Sequence, residues 1–115
     1  MKPALSTRQR ETLVRILQPF ASRIERVIVF GSRATGKNSD ASDIDLAIDG
    51  DVSQSDLWRL YTLFDECSLA VRVDVVDYRR VRGTAIGRHI DAVGLPLEGV
   101  GRAARAAVVA GIASA

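Results

Sequence analysis

Apolar residues recur along this chain in two rhythms, one helical and one strand-like. Leu13, Val14, Ile16, Leu17 and Phe20 form a stripe at helical spacing. Ser6 and Gln9 ahead of it have capping-box spacing, so a helix should start there. Pro19 should stop or kink it. Val27 to Phe30 is β-branched and aromatic and ends at Gly31, which reads as a strand running into a turn. Arg33 to Ser42 holds Gly36, Lys37, Asn38, Ser39 and Asp40 and reads as loop. Asp43 to Asp49 then alternates, with Ile44, Leu46 and Ile48 on one face and Asp43, Asp45, Ala47 and Asp49 on the other.

A second helix should follow, with Ser53 or Ser55 as N-cap and Asp56 early in its first turn, where a carboxylate favours the helix dipole. Leu57, Leu60, Tyr61 and Phe64 supply its stripe. Val71 to Val76 reads as a third strand: Val71, Val73 and Val75 face one way, Arg72, Asp74 and Val76 the other. Thr84 should cap a short last helix carrying Ile86, Ile90 and Val93, ended by Gly94-Leu95-Pro96.

Length and composition narrow the picture. The 115 residues suffice for one domain, placed at residues 1–100, followed by an Ala-rich tail over 101–115 that reads as helical or disordered. A formal charge of +2 is too mild to argue for nucleic-acid binding. The single cysteine, Cys67, allows no internal disulfide, reads as a buried helix residue and fits a reducing compartment. The most apolar run, Ala106 to Ala115, is far short of the ~20 residues that span a bilayer. With no basic-then-apolar signal segment, the expectation is a cytoplasmic protein without a membrane partner.

The candidate chemistry lies in the acids. A charged strand face often does no more than discourage edge pairing. Asp43 and Asp45, however, point the same way. Two carboxylates 4 Å apart repel by about 1 kcal/mol in water and roughly 4 at a protein-like dielectric. A divalent cation would reverse that sign. Asp74 lies opposite the valine face of the third strand, so neighbouring strands would bring all three acids together. Such a hard oxygen set suits Mg²⁺, which takes carboxylates plus substrate phosphates. The turn at Gly31 and Ser32 lets backbone approach a ligand closely, and its N–H groups and hydroxyl suit phosphate oxygens. A calcium loop beginning at Asp45 fits poorly, because Ala47 and Asp56 stand where ligands of another type belong.

Gly31-Ser32, ten residues, then Asp43-Ile44-Asp45, with a later "VDVVD" strand carrying Asp74, resembles the signature of the polymerase-β-type nucleotidyltransferases. The resemblance is strongest to the minimal nucleotidyltransferase (MNT) family, including the MntA-type antitoxins of HEPN/MNT toxin–antitoxin pairs. It implies an α+β fold, a small mixed sheet with helices packed on one face. It implies that Asp43, Asp45 and Asp74 ligate two Mg²⁺ ions and that Asp74 activates an acceptor hydroxyl. Gly31 and Ser32 would hold the phosphates of a nucleoside triphosphate, ATP in the antitoxins. For Arg33 two readings stay open, a triphosphate contact or a solvated side chain. Lys37 reads as solvated loop and His89 as structural or partner-facing.

The resemblance further implies a HEPN-type ribonuclease toxin as partner, with AMP transferred to one of its tyrosines, and an assembly with that toxin or with further copies of the chain. A short chain has little beyond a nucleotidyltransfer core to hold an acceptor, which agrees with a partner supplying one. Two other readings stand beside this: an antitoxin acting by binding alone, and transfer to a small molecule such as an aminoglycoside.

Overall fold

The computed structural model describes residues 1–102. Helix α1 (Thr7–Leu17) starts where expected, with Ser6 and Gln9 exchanging side chain–backbone hydrogen bonds of 2.9 and 3.0 Å. Pro19 falls in a 3₁₀ turn, Gln18–Arg23, which carries Phe20 into the core. Strand β1 (Ile24–Phe30), helix α2 (Ser32–Thr35), strand β2 (Ile44–Gly50) and helix α3 (Gln54–Asp65) follow. Strand β3 (Val73–Asp77), helices α4 (Tyr78–Val81) and α5 (Ala85–Val93) and the two-residue strand β4 (Leu95–Pro96) complete the order. The sheet runs β3-β2-β1-β4, with β2 and β3 parallel and the other neighbours antiparallel. It is the mixed α+β sheet expected.

The alternation in β2 sets the two layers. Ile44, Leu46 and Ile48, with Val27, Val29, Val73 and Val75 of the flanking strands, pack under Leu13 and Leu17 of α1 and Leu57, Leu60 and Phe64 of α3. Truncating a fully buried leucine such as Leu60 should cost about 2–5 kcal/mol. The opposite face is not bare. Ile28, Phe30 and Ala47 form a second, smaller core with Tyr78 of α4 and Ile90 of α5. Helices therefore cover both faces, the second only in part, which corrects the expected one-sided layer.

Several boundaries differ from the sequence reading. β1 begins three residues before Val27, because Ile24 is buried and pairs with Gly50, with a register shift at Glu25 before Arg26 pairs with Asp49. A Cβ at Gly50 would sit 2.2 Å from the Arg23 carbonyl, so only glycine allows that approach. Asp43 lies just ahead of β2, and Val71 and Arg72 lie ahead of β3. The Arg33–Ser42 loop opens with the short helix α2.

Ser53, not Ser55, caps α3, with Asp56 completing a second capping box. Cys67 is a free, half-buried thiol just beyond α3 rather than within it. Ile86 is exposed, whereas Ile90 is buried. Residues 103–115, most of the tail, lie outside the described residues. No helix among the described residues is long and apolar enough to cross a membrane.

Candidate active site

The sheet pairing assembles the acids. Asp45 stands in register with Asp74 on the parallel neighbour β3 and with Phe30, the last residue of β1, on the other side. Asp43, two residues before Asp45, projects to the same face. The chain leaves β1 through Gly31, whose φ of 70° and ψ of −152° are open essentially only to glycine. A Cβ there would lie 2.3 Å from Asp45 Oδ2, so the Asp45 carboxylate rests against a surface that exists because residue 31 has no side chain. Ser32 begins α2, where helical geometry leaves backbone N–H groups without intrahelical partners. Ser32 is half-buried, and its own carbonyl accepts from Gly36 and Lys37, closing the turn.

The electrostatics of this corner are strained toward negative charge. The Asp45 carboxyl is pushed above the usual carboxylate range, first by burial and then by the charges of Asp74 and Asp43. Arg72 and His89 offset this in part. Arg72 Nη2 lies 3.4 Å from Asp43 Oδ2 and 3.2 Å from Asp74 Oδ2, one guanidinium nitrogen between two carboxylates.

Asp43 and Asp74 are substantially exposed, with side-chain accessibilities of 46% and 42%. The donor set is thus three hard carboxylates, the chemistry a divalent ion with phosphate ligands prefers. As placed, no three His, Cys, Asp or Glu side chains among the described residues close around a single point. The guanidinium stands between two of the three.

The remaining candidates separate. Arg33 is 3% exposed and does not join the acids. Its Nη1 donates to the Ala4 carbonyl at 2.8 Å and its Nη2 to the Ser42 carbonyl at 2.9 Å, with further bonds to Gln9 and Asp40. Burial requires such partners for a permanent cation. It ties the N-terminal segment to the loop that delivers Asp43, and its burial excludes the solvated reading. Lys37 is exposed.

His89 is a residue that sequence reasoning set aside. α5 packs over β1 and brings its ring edge-on to Phe30, with centroids 6.1 Å apart, close enough to influence Asp45. Only the crossing of α5 over the sheet puts it there, and the sequence carries no local signal of that crossing. Asp49 and Asp77 stay apart from the acid group. Asp49 binds Arg26 and Arg79, and Asp77 caps α4.

Comparison with known proteins bears on the fold and the family. A solved toxin–antitoxin complex with AMP-PNP matches at a TM-score of 0.65 and 23% identity, covering 90% of this chain and 83% of that one. The toxin–antitoxin complex MntA-HepT matches at 0.58 and 22%, covering 90% and 80%. Likeness at such identities is likeness of fold. A sequence search among curated proteins returned no match. The family model described as Polymerase beta, Nucleotidyltransferase matches residues 11–96, which take in the Gly-Ser turn, all three acids and the whole sheet, and the chain belongs to that nucleotidyltransferase family.

Proposed function

We propose that this nucleotidyltransferase is a Mg²⁺-dependent antitoxin that transfers AMP from ATP to a tyrosine hydroxyl of a HEPN-type ribonuclease partner. The observation that carries the transfer chemistry is the register of Asp45 with Asp74, beside Asp43 and against Gly31. In this reading Asp43, Asp45 and Asp74 hold the divalent ions, two by family resemblance. When bound, these supply charge neutralisation at the triphosphate and at the attacking and leaving oxygens.

The chain's own residues do the rest. Gly31 and the start of α2 receive the β- and γ-phosphates, with the Ser32 hydroxyl as a further donor. Asp74 takes up the proton of the acceptor hydroxyl. The acceptor oxygen forms a bond to the α-phosphorus, the bond from that phosphorus to the β-bridging oxygen breaks, and pyrophosphate leaves. Asp45, half-buried against Gly31, fixes the position of the acid pair. Arg33 holds the loop that presents Asp43.

Support for the antitoxin role comes from the solved complexes with the same fold, one of which contains AMP-PNP. The partly covered second sheet face leaves Asp43 and Asp74 exposed to an incoming protein. A lone half-buried thiol suits the reducing cytoplasm. Incubation with α-labelled ATP, Mg²⁺ and the partner encoded beside it should label the partner. Asp43→Ala or Asp45→Ala should abolish the label, and undiminished labelling by either variant would refute the reading. A double variant that still neutralised the partner would move the antitoxin role from catalysis to binding.

A further inference from the structure

We propose that Arg72 is a built-in occupant of the acid site, a guanidinium that holds Asp43 and Asp74 together until a divalent cation displaces it. The inference rests on the nucleotidyltransfer reading of this site and concerns how the chain prepares it.

Three observations carry it. Arg72 Nη2 contacts both Asp43 and Asp74, at 3.4 and 3.2 Å. It is the only cation among the described residues ion-paired with any of the three acids. Its side chain is 71% exposed, so nothing packs it in place.

The combination is specific. A structural ion pair would be shielded or shared among several donors, as Asp49 is held by Arg26 and Arg79. A purely solvated arginine would not bridge two carboxylates, one just ahead of β2 and one in β3. Arg72 sits directly before β3, and its carbonyl accepts from the Ile44 N–H at 2.9 Å, so its backbone is anchored while its side chain is free to leave. Exposed pairs of this kind are weak, which suits a contact that must open. Arg72 forms no ion pair with Asp45.

The consequence is competition. Removing the guanidinium should make the acids a better cation site while making the metal-free protein less stable. Binding of Mn²⁺ alone, without nucleotide, can be followed by the electron paramagnetic resonance of the free ion, on the full chain. Arg72→Gln should tighten Mn²⁺ binding by about twofold to fivefold, the factor expected from losing a weak competing pair. Its melting temperature should fall in chelator and match the wild type in saturating Mg²⁺. Arg72→Lys, which keeps the charge but loses the planar fork, should fall between the two.

Equal Mn²⁺ affinity in wild type and Arg72→Gln would overturn the inference and leave the metal reading intact. Tighter binding by Arg72→Gln with Arg72→Lys identical to wild type would also overturn it, because the guanidinium would then act as a distant charge rather than an occupant. If neither the wild type nor Arg72→Gln bound Mn²⁺ more tightly than Asp45→Asn, the metal reading would fail and the inference with it.

Discussion

Asp45 and Asp49 share one strand and one face, two alternations apart, yet their surroundings are opposite in sign. Asp49 is met by two guanidinium groups, Arg26 Nε at 2.9 Å and Arg79 Nε at 3.2 Å. Arg26 in turn lies over the Tyr78 ring, 5.2 Å from its centroid. Asp45 is met by two further acids, partial burial and the edge of a glycine. At the Asp49 end cations outnumber the carboxylate. At the Asp45 end one exposed arginine pairs with two of three carboxylates. The proposed divalent-cation role would supply, at the Asp45 end, the positive charge that Arg26 and Arg79 supply at the Asp49 end.

The largest effect should come from removing that imbalance. Asp45→Asn should lower nucleotide transfer by at least about a hundredfold, roughly 3 kcal/mol of transition-state stabilisation. The same variant should stabilise the metal-free protein, by on the order of 1 kcal/mol, because it deletes a charge repelled by two neighbours. Chemical denaturation in chelator reads the second effect and the labelling assay the first. If Asp45→Asn unfolded more easily instead, the contrast with Asp49 would be broken.

Gly31→Ala attacks the same corner through the backbone. It should cost about 1–3 kcal/mol through the positive φ alone, and it drives a methyl into Asp45 Oδ2. Transfer should fall with it, and wild-type activity at normal stability would show that the glycine contact is incidental.

The converse test is smaller. Asp49→Ala frees Arg26 and Arg79 and should cost about 1 kcal/mol in denaturation, the scale of partly exposed pairs. Transfer should stay within a few-fold of wild type. A large loss of transfer would mean that the two ends of β2 are coupled, and the division drawn between them would be wrong.

Much of this corner was legible before any coordinates, for a physical reason. Strand side chains alternate, so Ile44, Leu46 and Ile48 in the core force Asp43 and Asp45 onto one face. The valines of β3 do the same for Asp74. The capping boxes at Ser6 and Ser53 are local hydrogen-bond patterns and could be read locally.

What could not be read depends on long-range packing. Arg33 and Arg72 are both arginines beside site residues, and sequence alone does not say that one is buried in carbonyls and the other exposed between acids. His89 meets Phe30, at the end of β1 beside Asp45, only because α5 crosses β1. β4 has two residues, one of them a proline tolerated at a sheet edge, too short to show a period. The second core beneath α4 and α5 contributes few strand positions, and the alternation that exposes acids at one end of β2 conceals Ala47 in the middle.

The smallest prediction sets a third acid against Asp45. Asp56 caps α3 through Ser53 and binds Arg23, with Nη2 to Oδ1 at 2.6 Å and Nε to Oδ2 at 3.0 Å. Its carboxyl is held below the usual range, first by the Arg23 hydrogen bond and then by the Ser53 backbone N–H, the opposite direction from Asp45. A lowered folded value means that the unfolded chain binds the proton more readily. The stability Asp56 contributes is therefore complete above the ordinary aspartate value near pH ~3.9 and is lost as pH falls through the lower folded value. Asp56→Asn keeps a cap acceptor but removes the charge at the helix N-terminus, which should cost about 0.3–1 kcal/mol at pH 7. Urea denaturation of both proteins from pH 7 downward should show a constant gap that closes only below about pH 4. A gap that closed well above that pH would mean that Asp56 is not held down by Arg23, and that Asp56 and Asp45 are not set apart by opposite shifts.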